Sequence, residues 1–257
     1  TSGTSNFIAG VNAGNSITSG GNLNVLVGDE AGTALTTGDA NVAVGYKALF
    51  TEDANGQNVA VGYNSLMTLN AGAEGNNVAV GFKAGEAVTT GRLNTLIGGL
   101  AGDATTTANN VTAVGASALS ANTTGADITA VGAAALATNT TGASNTAVGY
   151  GALNANTTAA NNTGIGAYAL VANTTGASNT AVGRKALTTN TTGESNTAVG
   201  LNSQLLVVTG DNNTSLGVEA LRNNTASNNT AVGKDALRVN TTGTQNTAVG
   251  TASLGAN

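Results

Sequence analysis

Asn145-Thr146-Ala147-Val148-Gly149-Tyr150-Gly151-Ala152-Leu153-Asn154-Ala155-Asn156-Thr157-Thr158-Ala159-Ala160-Asn161 is one copy of a unit that runs through the whole chain. Its glycine recurs as Gly132, Gly149, Gly166, Gly183 and Gly200, a period of 17 residues. The same glycine keeps phase outward from there, through Gly115, Gly98, Gly81, Gly62, Gly45, Gly28 and Gly10 and through Gly217, Gly233 and Gly250. Three small irregularities in spacing interrupt the period, two near the start and one near the end, and chance does not hold phase over that many glycines. The consensus is N-T-A-V-G-x-x-A-L-x-x-N-T-T-G-x-x.

A unit of this length is too short for a helix pair, since helical repeats need 33 residues or more. It suits one coil of a parallel β-solenoid, with two short strands and two turns predicted per coil. Thr-Ala-Val alternates as a strand does. The glycine that follows permits the bend, and Asn-Thr-Thr-Gly supplies turn residues that tolerate positive φ. The expected fold is therefore all-β, a single continuous solenoid (a β-roll) over residues 1–257, of about fifteen coils stacked ~4.8 Å apart into a rod of roughly 70 Å. The opening Thr1-Ser2-Gly3-Thr4 reads as a processed or truncated end, and the solenoid as an uncapped piece of a longer fibre.

With a period of two, Thr146 and Val148 share one face, and Asn145, Ala147 and Gly149 the other. Thr146 is replaced by Val42, Val59 and Val78 in early coils, so the Thr/Val ranks are predicted to point inward with the leucines (Leu49, Leu119, Leu153 and their equivalents). Gln204 breaks the leucine rank, and Leu205-Leu206 suggests a shift by one residue there. The small-residue rank would then face outward. Ala113, Ala130, Ala147, Ala181, Ala198, Ala231 and Ala248 are candidate residues of a chain–chain interface, and the asparagines ahead of each strand suggest a stacked amide ladder. Residues just after each glycine vary freely, as a solvent face does. Tyr46, Tyr63, Phe82, Tyr150 and Tyr168 are thus candidate exposed contacts to a ligand such as a surface glycan, against the plainer reading of isolated exposed aromatics.

Composition narrows the chemistry. The chain has 257 residues, 37 of them Gly, with 8% charged and 3% aromatic residues and no Cys, His, Pro or Trp. Disulfides, thiolate zinc sites, cysteine nucleophiles and imidazole bases are excluded. The eight cations are scattered, and with a net charge of −5 they form no basic stripe for nucleic acid. No apolar run approaches the ~20 residues of a membrane span. The adjacent acids Asp29-Glu30 and Glu52-Asp53 read as solvated turn charges. No catalytic, cofactor or metal residues are assigned, and the chain is not expected to be an enzyme. The Asn-Thr-Thr sequons at Asn122, Asn139, Asn156, Asn173, Asn190 and Asn240 are better explained by turn chemistry than by glycosylation.

These repeats resemble those of phage tail-fibre and bacterial "tail fiber domain" surface proteins. They are also similar to the shorter S-V-A-I-G repeats in the head of trimeric autotransporter adhesins, a left-handed parallel β-roll assembled as a trimer. The likeness covers nearly the whole chain and is best from Val111 to Gly200. It implies a structural fibre shaft or adhesin, extracellular, on a cell surface or virion tail, self-associating as a homotrimer and meeting a host glycan or receptor. One alternative is an ice-binding solenoid using its Thr ranks. Two expectations stand against it: the strand threonines interchange with valine and should be buried, and the turn threonines lapse at Val207-Val208. A polysaccharide-processing spike is a third possibility, but it lacks recurring paired acids.

Overall fold

The computed structural model describes residues 3–255, so the extreme ends of the expected solenoid lie outside the described residues. The chain is an all-β parallel solenoid of about fourteen turns, with no helix among the described residues. It divides into two compact units, one ending at Ile128 and the other beginning at Thr129. The N-terminal unit carries β1 (Phe7–Ala9), β2 (Val25–Val27), β3 (Val42–Val44), β4 (Val59–Val61), β5 (Val78–Val80), β6 (Thr95–Ile97) and β7 (Thr112–Val114). The C-terminal unit carries β8 (Thr129–Val131), β9 (Thr146–Val148), β10 (Thr163–Ile165), β11 (Thr180–Val182), β12 (Thr197–Val199), β13 (Thr214–Leu216), β14 (Thr230–Val232) and β15 (Thr247–Val249).

Within each unit every strand pairs in parallel with the next, and like sits on like: Thr146 on Thr163, Ala147 on Gly164, Val148 on Ile165. Each coil is named below by its strand. A coil holds one three-residue strand, not the two predicted. The Ala-Leu segment is a pair of tight turns. Ala152 N–H donates to Gly149 C=O at 3.2 Å, and Asn156 N–H to Leu153 C=O at 3.0 Å. To make them, the leucine itself enters the left-handed region, with φ of 52° at Leu153 and 51° at Leu136. That conformation costs an L-residue about 1–2 kcal/mol. Hydrogen bonds to the next coil hold it, such as Leu153 N–H to Ala169 C=O at 2.9 Å.

The repeat glycine is required by both its conformation and its neighbours. Gly149 has φ of 131°, and a Cβ on it would lie 2.7 Å from the carbonyl carbon of Gly166. Successive glycines therefore stack backbone on backbone.

The predicted side-chain directions are reversed. Ala113, Ala130, Ala147, Ala181, Ala198, Ala231 and Ala248 are buried inside their own chain, so the alanine rank is core and is not free to form a chain–chain interface. It packs with the leucines, and the alternating Thr and Val side chains face out. The physical reason is cross-section: a coil this small has room for a leucine and two small residues, not for two further β-branched ranks. Gln204 causes no shift. It occupies the leucine position, fully buried with φ of 49°, and Leu206 points outward.

Candidate interaction surface

The outward strand positions are charge-free in every strand of each unit, although the chain carries 8 basic and 13 acidic side chains. In the N-terminal unit the middle of this face is aliphatic: Val42 and Val44, Val59 and Val61, Val78 and Val80. In the C-terminal unit the first outward rank is threonine throughout, from Thr129 to Thr247. Among the described residues the hydroxyls of those strand threonines take no hydrogen bond within the protein. Threonines of the turns behave differently: Thr157 Oγ1 donates to Thr174 C=O at 3.2 Å, and Thr174 Oγ1 to Thr191 C=O at 3.0 Å. The strand hydroxyls are thus left to whatever meets the face.

Tyr46, Tyr63, Phe82, Tyr150 and Tyr168 are all exposed. Three of them form a stack on the N-terminal unit. The Tyr46 and Tyr63 rings lie 5.3 Å apart at 23°, and Tyr63 and Phe82 5.5 Å apart at 16°. Lys47 Nζ lies 5.3 Å from the Tyr46 ring centre and 3.3 Å from Glu30, while Lys83 Nζ lies 5.7 Å from the Phe82 ring centre and 3.1 Å from Glu86. Sugars stack on ring faces, and here much of those faces is spent on neighbouring rings and ammonium groups. Tyr150 and Tyr168 meet edge to face at 5.3 Å.

Inside, two asparagine ranks hold the coils in register. The first is the expected amide ladder ahead of the strands. Asn162 N–H donates to Asn145 Oδ1 at 2.9 Å, and Asn145 Nδ2 donates to Ala159 C=O at 2.8 Å. Val111 and Ile128 take two of its places and are buried there. The second rank was missed as a core feature. Asn156 Nδ2 donates to Asn139 Oδ1 at 2.8 Å, Asn173 Nδ2 to Asn156 Oδ1 at 2.9 Å and Asn190 Nδ2 to Asn173 Oδ1 at 2.8 Å. These are sequon asparagines, and their burial is incompatible with a glycan on the folded chain. Their strict recurrence was the signal available in the sequence.

Glu52 takes the second-rank position in its coil and is fully buried, not a solvated turn charge. Its Oε1 accepts from Asn55 N–H at 3.1 Å and from Asn55 Nδ2 at 3.0 Å. Burial outweighs those bonds and pushes its carboxyl above the ordinary value. Among the described residues there is no pocket and no group of three His, Cys, Asp or Glu residues placed to hold a metal. No family model, no curated protein and no solved structure matches the chain.

Proposed function

We propose that this chain is a non-catalytic fibre shaft, of a phage tail fibre or a microbial surface adhesin, that works outside the cell as a homotrimer. The observation that carries the reading is the outward-facing, half-buried, charge-free sheet face. Sheets that stay single in water usually guard themselves with lysine or other charge. This one presents ranks of valine and threonine in register, which suits lateral association with copies of itself. The interface assigned to the alanine rank from sequence thus moves to the opposite side of the same strands. The remaining surface, repetitive and rigid, presents its exposed aromatics for attachment to a host glycan or receptor, with Tyr150 and Tyr168, which meet edge to face, keeping more of their ring faces open than the stacked rings do.

Sedimentation equilibrium tests this. The expected mass is close to three times 24.6 kDa. Val44→Lys with Val61→Lys places two charges on the face and is expected to lower the mass to that of one chain with an unchanged far-UV spectrum. A single-chain mass for the unaltered protein overturns the reading.

A second reading gains support from one finding. The strand threonines, expected inside, lie outside with free hydroxyls at a regular spacing. That removes one of the two objections to an ice-binding face; the lapse of the turn threonines at Val207-Val208 stands.

A further inference from the structure

In the C-terminal unit the leucine rank and the second asparagine rank run intact through the coils of β9, β10 and β11. Both break in the coil of β12. Gln204 stands where leucine belongs, and Val207 where asparagine belongs. Ser203 and Ser215 replace two core alanines, one in this coil and one in the next.

The substitutions satisfy one another only in part. Gln204 Nε2 donates to Thr197 C=O and to Ser215 Oγ, both at 2.8 Å, and the Ser203 and Ser215 hydroxyls lie 2.5 Å apart. Gln204 Oε1 is buried with no partner. Asn139, Asn156 and Asn173 each accept from the asparagine of the following coil. Val207 has no amide to give, so Asn190 Oδ1 is buried without a donor. The coil of β13 is also one residue short of the period, and Asn223 Oδ1 in it is buried and unpaired.

Every buried, unpartnered side-chain oxygen of the C-terminal unit among the described residues falls between Asn190 and Asn240. Surface ion pairs are present there, with Arg238 Nε 3.0 Å and Arg222 Nε 3.8 Å from Glu219. Exposed pairs of this kind add little stability, and they do not reach the core acceptors.

In a stack of coils, stability is close to a sum of coil energies and nearest-neighbour interfaces, so one poor interface is where the stack parts. We propose that the Ser203–Val207 turn is a yield point built into the solenoid, where the C-terminal unit opens first while the coils of β9 and β10 stay closed. Under tension or heat the chain would lengthen there without losing the rest of the unit. This inference does not depend on the chain being a fibre.

Amide hydrogen exchange of the full-length chain, read by mass spectrometry, tests it. Thr146, Thr163, Thr180, Thr197 and Thr214 all donate their N–H to the next coil at 2.8 Å, so differences among them report opening and not bond geometry. Amides from Thr197 to Leu216 are expected to exchange at least about tenfold faster than those from Thr146 to Ile165, given the buried unpaired acceptors. Gln204→Leu with Val207→Asn restores both ranks and is expected to slow the first group about tenfold while leaving the second unchanged. Val207→Asn alone, which leaves the Gln204–Ser215 contact in place, is expected to give part of that slowing. Fraying from the chain end would produce a gradient that neither variant alters. That result, or equal exchange in both groups, overturns the proposal.

Discussion

At the scale of single residues, the fold depends on polar side chains placed where apolar ones are usual. A buried amide is tolerable only when its donors and acceptor are met, and stacking identical coils meets them automatically, because each asparagine presents to the next what the last presented to it. Glu52 is the departure that tests this. Its slot in the coil of β3 is the asparagine slot, and its carboxyl is raised above 4.5 by desolvation, against the opposing bonds from Asn55 and Ala71. From 4.5 up to the raised value, the folded chain holds a proton that the unfolded chain has released. Stability therefore falls as pH rises through that window and stays lower above it. Glu52→Gln keeps an acceptor for Asn55 and removes the charge. The variant is expected to unfold at higher urea than the unaltered chain at pH 7, with the two curves meeting well below pH 4.5, where both side chains are neutral. Coincident curves at pH 7 would show that burial of Glu52 carries no penalty. The sequence did not disclose this. Glu52 next to Asp53 looks like a pair of turn charges until the repeat is aligned on the second asparagine rank, where Glu52 falls in line with Asn156 and Asp53 does not.

At the scale of the coil, periodicity made the elements legible but left their sense open. Alternation assigns Thr146 and Val148 to one face and Ala147 to the other, and threonine is close enough to valine in shape for either face to look like core. The deciding information lay in rarer residues. Leucine replaces the strand alanine at Leu26 and Leu96, and glycine replaces the turn leucine at Gly14, Gly32, Gly85 and Gly102. The structure shows why these go together. A Cβ on Gly14 or Gly32 would lie 2.7 or 2.9 Å from a methyl of Leu26, and one on Gly85 or Gly102 would lie 2.7 or 2.8 Å from a methyl of Leu96. The two ranks share one space, so a large residue in one demands small residues in the other, in its own coil and in the coil before. It follows that alanine points inward. Ala147→Leu by itself overfills the core between Leu136 and Leu153 and is expected to cost about 1–3 kcal/mol. Adding Leu136→Gly and Leu153→Gly is expected to recover part of that loss, giving a favourable coupling in a mutant cycle read by urea unfolding. Simple addition of the penalties would mean that the two ranks do not exchange volume.

At the scale of the whole molecule, function turns on what covers the sheet face. Self-association and ice binding both want a flat, regular, charge-free surface, but they make opposite demands on the free protein. An associating face is hidden in solution, whereas an ice-binding face must stay open to water until a crystal meets it. Threonine hydroxyls and methyls repeating every ~4.8 Å along the stack can hold a sheet of ordered water, and the C-terminal unit presents such a rank without a break from Thr129 to Thr247. The same sample can therefore be asked both questions. A fibre shaft is expected to sediment as three chains and to leave the growth of ice crystals unchanged at the same concentration. Thr163→Lys with Thr180→Lys, on the face, is expected to lower the mass to one chain, whereas Thr158→Lys with Thr175→Lys, on the exposed turn, leaves it unaltered. A single-chain mass together with slowed ice growth, lost in the face variant and kept in the turn variant, would reverse the assignment and make the threonine rank the working surface. The lysine pairs carry the comparison because each adds the same charge to a threonine rank, one on the strand and one on the turn, so a difference between them belongs to the face and not to net charge.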